Sequence, residues 1–191
     1  MICNIKEKVR QIKLEKNYDV VIIGAGVIGA AVAFELSKKG FRTLNIDRNP
    51  SSGYGSTSAS CAIIRVHYST FDGCALAYEG YHYWKKWEEY LEYKDESGLA
   101  KFIECGCMIY QTHENDYLKN VIARASELQI PFEKWDPQLI QSKLPIVDTK
   151  QFGPVKLTSN KEFGKNNGEN VRGAIFFPTA GYINDPQLSA H

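Results

Sequence analysis

Gly24, Gly26 and Gly29 stand at GxGxxG spacing directly after the apolar run Val20–Ile23, and Asp47 closes a second apolar run, Thr43–Ile46. These residue types in this order suit a dinucleotide. Gly24 permits a tight turn out of a strand, and Gly26 lets the backbone approach a pyrophosphate with no Cβ in the way. Gly29 lets the following helix pack closely on the strand. The N-terminus of that helix directs free N–H groups at the phosphates. Asp47 falls where a carboxylate accepts hydrogen bonds from an adenosine ribose. An acid at this point disfavours the 2′-phosphate of NADP, because like charges would meet, but it does not separate NAD from FAD.

Those residues need a strand–helix–strand frame, and the pattern supplies one. Val20–Ile23 is β-branched and continuous, the signature of a parallel strand buried on both faces. Residues 30–39 read as the helix and Thr43–Ile46 as the next strand, parallel to the first. Residues 48–60 (RNPSSGYGSTSAS) are dense in Gly and Ser and form a loop, which at the end of such a strand opens onto the ligand crevice. A short apolar segment follows at 62–66. Residues 74–93 read as one long helix with Leu76, Gly80, Tyr83, Trp87 and Leu91 on its core face. Residues 102–112 suggest one or two strands broken at Gly106. A second amphipathic helix spans 116–129, with Leu118, Val121, Ile122, Ala125 and Leu128 inward. Asp136 is the N-cap and Pro137 the first turn of a short helix that ends at Leu144-Pro145. Residues 150–172 are polar, rich in Gly and Asn, and read as a surface excursion. A strand at 173–178, a turn at 181–184 and a helix start at Asp185-Pro186 close the chain.

Length and composition set outer limits. A chain of 191 residues holds one good core with part of a second layer. A net charge of +1 gives no reason to expect nucleic acid or a membrane surface. No apolar stretch approaches the roughly 20 residues that span a bilayer. Residues 1–17 lack the apolar core of a secretory signal and read as an extension, with Ile2, Ile5, Val9 and Ile12 on one face. Five cysteines, an odd number, do not make a disulfide framework, so a reducing cytoplasm fits. Cys105 and Cys107 lack further ligands at metal-binding spacing and read as small core residues, as does Cys61.

The quoted segments carry a resemblance as well. YDVVIIGAGVIGAAVAFELSKKG, GYGSTSASCAIIRVHYS, ALAYEGYHYWKKWEEYL, LPIVD and GAIFFPTAGYINDPQLSAH together resemble the N-terminal part of the D-amino-acid oxidase superfamily. These are FAD-dependent amine and amino-acid oxidoreductases, and the nearest likeness is to the sarcosine oxidase β-subunit and dimethylglycine dehydrogenase groups. The resemblance implies an α/β, Rossmann-like FAD-binding domain followed by a truncated α+β substrate domain. It divides the chain into an extension (1–17), an FAD-binding segment with its flavin-wrapping loop and helix (18–95), and an incomplete substrate or cap region (96–191).

Carried onto this chain, the resemblance assigns Gly24, Gly26, Val27, Ile28 and Gly29 to the pyrophosphate turn and Asp47 to the ribose. Arg48 lies beside the adenine. Ser56, Thr57, Ser58, Ala59 and Ser60 line the pyrophosphate and flavin. Arg65 holds a substrate carboxylate, a role suited to its planar, permanently charged fork; a structural ion pair is the alternative. His67 would titrate near neutrality and tune the site, or serve as a hydrogen-bonded scaffold. FAD is expected to be non-covalent, because Asn184 stands where one relative group links a flavin through His.

The implied reaction oxidises the CH–NH bond of a small amino acid or N-methylated amine, passing a hydride to flavin N5 and leaving an imine. The acceptor would be oxygen, a quinone or an electron-transfer protein. The implied enzymes are longer, so a second chain or a missing C-terminal half is expected. Two alternatives stay open: a non-catalytic or split FAD-binding fragment, and an NAD-dependent Rossmann dehydrogenase.

Overall fold

The computed structural model describes residues 17–96, 98–112, 116 and 118–191. The expected N-terminal extension and Cys3 therefore lie outside the described residues, apart from Asn17. Two compact units emerge, Met1–Ser60 with Pro186–His191 and Cys61–Asp185, divided at a different place from the 95/96 boundary read from the sequence.

In the first unit, β1 (Val20–Ile23), α1 (Val27–Lys38) and β2 (Thr43–Ile46) form the expected βαβ unit. β1 and β2 are parallel, with Val20 opposite Thr43 and Ile23 opposite Ile46. Asp19 fixes the entry by accepting from the Arg42 backbone N–H at 2.8 Å. Asn45 donates to the carbonyl of Gly29 at 3.1 Å, tying β2 to the first turn of α1. One expectation is corrected here. β1 is not buried on both faces: Ile23 is 88% exposed and Val21 is exposed as well. The physical reason is that the sheet has two strands among the described residues, and α1 buries none of its residues completely. At Asp185-Pro186 the expected helix is instead a 3-10 turn at Leu188–Ala190, which packs against α1.

The second unit contains β3 (Ile63–Ile64), α2 (Phe71–Lys85), α3 (Trp87–Leu91), β4 (Phe102–Ile103), β5 (Cys107–Gln111), α4 (Leu118–Glu127), β6 (Glu133–Trp135), α5 (Pro137–Lys143), β7 (Gly173–Phe177) and β8 (Gly181–Ile183). They build two antiparallel sheets, ordered β3-β8-β4 and β5-β7-β6. The main core joins Cys74 and Tyr81 of α2, Leu118, Val121 and Ala125 of α4, and Ile175 and Phe177 of β7. A second cluster centres on Trp135, Ile140 and Ala174, with Trp135 stacked on Phe176 at 4.3 Å.

Three further readings change. The long helix is two, because the chain leaves helical geometry at Lys86 (φ −119°, ψ 39°). Its buried face runs through Cys74, Tyr78 and Tyr81, while Leu76 and Tyr83 face solvent. Aromatic and apolar residues occur on both sides of this helix, so periodicity alone selects the wrong stripe. The turn expected at 181–184 is the central strand β8: a Cβ on Gly181 would strike the Ile103 carbonyl, so this glycine permits close strand contact rather than a bend. Cys105 and Cys61 are exposed and Cys107 is half-buried, so none of the three is the fully buried core residue expected.

Candidate functional site

The glycine turn in the first unit is sterically defined. Gly24 has φ +111°, a conformation that side chains resist. A Cβ on Gly29 would collide with the carbonyl of Gly24, so strand and helix approach as closely as backbone allows. A Cβ on Gly26 would lie 2.9 Å from Thr57 Oγ1. That hydroxyl accepts from the Val27 N–H at 3.1 Å, meeting one of the free donors of the helix N-terminus.

Asp47 is held by two backbone donors. Its Oδ2 accepts from Ala25 N–H and its Oδ1 from Asn49 N–H, each at 2.8 Å. These bonds, Ala25 first, hold its carboxyl below the ordinary carboxylate range. An ionised carboxylate keeps spare lone pairs on both oxygens, so it can also accept from a ribose diol.

Residues 48–60 are not an open loop. Gly53 donates to the Ala25 carbonyl at 2.7 Å, Ser58 N–H returns to Gly53, and Ala59 N–H returns to Gly55. Gly53 has φ +68°, and a Cβ there would meet the Gln187 carbonyl at 2.9 Å. Together with the glycine turn these residues enclose a cleft of about 640 Å³. Gly24, Gly26, Asp47, Arg48, Ser56 and Thr57, all among the candidates named from the sequence, line it. Val27, Ile28, Gly29, Ser58, Ala59 and Ser60 are not among its lining residues: Gly29 acts through packing, and Ser58 Oγ is turned back to Gly55. Asn49, Gly53, Tyr54 and the apolar wall of Ile23 and Ile46 are additions that sequence reasoning missed. Gly53 was the detectable one, since a glycine beginning a Ser-rich block often marks a left-handed turn.

The residues present fit the adenosine–pyrophosphate part of a dinucleotide. The turn admits no side chain at Gly29, the helix N-terminus carries a displaceable hydroxyl, and the acid is preset in its ionised form.

In the second unit, Arg65 follows β3 and is exposed. Its guanidinium carbon lies 4.5 Å from the Tyr68 ring centroid, and it has no ion-pair partner among the described residues. His67 is buried and stacks on Phe177 at 4.6 Å. Its Nδ1 has no hydrogen-bond partner among the described residues. Burial, then the charge of Arg65, moves its pKa down to about 4, which corrects the expectation of titration near neutrality. Asn184 is structural here: its Oδ1 accepts from Lys101 N–H at 2.7 Å, fastening the end of β8.

Comparison with known proteins follows the same lines. Residues 19–191 match the family described as DAO, FAD dependent oxidoreductase. The chain is 27% identical over 136 residues to N-methyl-L-tryptophan oxidase of Escherichia coli (strain K12), covering 67% of this chain and 34% of that protein. Its fold is similar to glycine oxidase from Geobacillus kaustophilus, with a TM-score of 0.68 at 22% identity over 91% of this chain and 42% of that one. It is also similar to L-proline dehydrogenase from P. horikoshii, with a TM-score of 0.70 at 20% identity over 91% and 40% of the two chains. The chain thus spans about a third of the curated relatives it matches.

Proposed function

The chain belongs to the FAD-dependent oxidoreductase family, and from that premise we propose that it supplies the adenosine–pyrophosphate grip and part of the substrate face of an amine or amino-acid oxidoreductase. FAD is the cofactor of this family, which sets aside the NAD-dependent alternative. The observation that carries the reading is the Gly29–Gly24 contact beside a two-bond Asp47, an arrangement built for a diphosphate and a ribose.

Gly24, Gly26 and Thr57 would hold the pyrophosphate, Asp47 the ribose, and Arg48 the adenine side. Thr57 would release the Val27 N–H to a phosphate oxygen and donate its own hydroxyl proton. Non-covalent attachment is favoured by the engagement of Asn184 within the fold. The substrate is a small amino acid or N-methylated amine. Arg65 binds its carboxylate; its exposed guanidinium, without an ion-pair partner among the described residues, favours this over the structural alternative. The stacked Tyr68 ring limits how the guanidinium can turn. A bound flavin would supply the two-electron acceptor for oxidation of the CH–NH bond, while this chain's residues would grip its adenosine and pyrophosphate and, through Arg65, orient the substrate carboxylate.

The experiment is anaerobic mixing of the FAD-loaded chain with sarcosine, glycine, N-methyl-tryptophan and D-alanine, followed by flavin absorbance. Bleaching by these substrates, and far less by amines without a carboxylate, supports the reading. A full flavin complement that none of them bleaches would leave a binding fragment without catalysis.

A further inference from the structure

The excursion between α5 and β7 carries features that dinucleotide binding does not use. Its neck is closed by backbone bonds: Gln151 N–H to Glu169 O, Asn167 N–H to Gln151 O and Val171 N–H to Thr149 O, each 2.8 Å. Lys150 Nζ adds a bond to the Gly168 carbonyl at 3.0 Å. Beyond the neck the chain folds into successive tight turns, Asn160 N–H to Leu157 O and Phe163 N–H to Asn160 O, both 2.9 Å. The tip is therefore held out in a defined shape, and what it holds out is apolar. Val155 is 96% exposed, Leu157 79%, Phe163 53% and Phe152 51%. Three lysines, Lys156, Lys161 and Lys165, are interleaved with them against one carboxylate, Glu162. Lys165 pairs with Glu162 at 3.0 Å, whereas Lys156 and Lys161 have no ion-pair partner among the described residues.

Large apolar side chains grouped on one projection mark an interaction surface. Their neighbours indicate which kind. Cores of protein–protein interfaces are depleted in lysine, because its ammonium is costly to desolvate. At a bilayer surface the lysine stem lies along the apolar layer while its head stays among the lipid phosphates. Val155 and Leu157, the most exposed of the four, give no π-face for stacking on bases, which disfavours single-stranded nucleic acid. We propose that the tip formed by residues 152–165 is a monotopic attachment site for an anionic lipid bilayer, with Phe152, Val155, Leu157 and Phe163 entering the headgroup–acyl boundary and Lys156 and Lys161 meeting lipid phosphates. The net charge of +1 conceals this, because a local cationic tip is balanced by acids elsewhere. No helix among the described residues is long and apolar enough to cross a membrane.

The test is co-sedimentation of the full chain with vesicles of phosphatidylcholine alone, or of phosphatidylcholine and phosphatidylglycerol in equal parts, with a vesicle-free control. The chain is expected to sediment with the mixed vesicles and much less with the neutral ones. Val155→Ser with Leu157→Ser should lower the partition coefficient by on the order of 10- to 100-fold, as expected for removing two inserted aliphatic side chains. Lys156→Glu with Lys161→Glu should abolish the preference for anionic vesicles. Val155, Leu157 and Lys161 are exposed and Lys156 is half-buried with no ion-pair partner among the described residues, so these variants should unfold near the temperature of the parent, and circular dichroism checks this. Absence of vesicle binding by the folded chain would overturn the proposal. So would binding that survives both loop variants but is lost in Ile28→Ser, which would place attachment on the exposed face of α1. Unchanged sedimentation of both loop variants with the mixed vesicles would overturn it as well.

Discussion

At the scale of single residues, the two glycines that look alike in sequence have different duties, and substitution separates them. Gly29→Ala drives a carbon into the Gly24 carbonyl and should destabilise the fold by roughly 1–3 kcal/mol, visible in thermal unfolding. Gly26→Val meets only the end of the Thr57 side chain, which can rotate, so the chain should stay folded while FAD affinity falls sharply in calorimetry. A third residue gives a pH signature. His67 has its folded pKa lowered from 6.5 to about 4, so between those values the unfolded chain binds a proton that the folded chain refuses. Stability is therefore fully present above the unfolded value and is lost as pH falls from about 6.5 toward about 4, by about 3 kcal/mol in all. His67→Phe keeps a ring against Phe177 and should flatten that slope in urea unfolding at about pH 5 and about pH 7.5; an unchanged slope would mean another group is responsible. Arg65→Met, in an active form of the enzyme, should lower kcat/KM for carboxylated amines roughly 30- to 1000-fold. Amines without a carboxylate should change far less, and Arg65→Lys should recover only part because it lacks the fork.

Among elements, legibility followed how local the determining physics is. β1, β2, the break at Gly106 and the start of α5 were visible because each is fixed by neighbours in sequence. Asp136 accepts from Leu139 N–H at 2.7 Å with Pro137 at the first turn, and Asp136→Ala should lower stability by about 1 kcal/mol in chemical denaturation. Thr70 caps α2 in the same way through Gly73 N–H, yet the pattern placed that helix start three residues late because Phe71 and Asp72 gave no periodic signal. What could not be read was set by distant partners. β8 is a strand because β3 and β4 flank it, and its Gly-Tyr-Ile-Asn-Asp composition otherwise favours a turn. The buried stripe of α2 is chosen by α4 and β7, which lie well downstream. At the site, Gly24, Gly26 and Asp47 were identifiable from motif spacing, whereas Thr57 was named only through the family resemblance. Asn49 acts through its backbone N–H, a contribution that residue type does not encode.

For the molecule as a whole, the first unit bears the mark of an incomplete sheet. Parallel strands are ordinarily covered on both faces, yet Ile23 and Ile28 are exposed and the sheet has two strands. Sedimentation velocity should therefore show concentration-dependent association of the chain, reduced in Ile23→Thr with Ile28→Ser. The same unit nonetheless contains the cleft that we assign to the adenosine and pyrophosphate of FAD, lined by Gly24, Gly26, Asp47 and Thr57. That assignment is tested most directly by titrating the folded chain with FAD and, separately, with FMN, which has the flavin but lacks the adenosine and one phosphate. FAD should bind with one site per chain and compete with ADP, Asp47→Ala should weaken it, and FMN should show no comparable binding. FMN binding as tightly as FAD, or a folded chain that binds neither, would contradict the account.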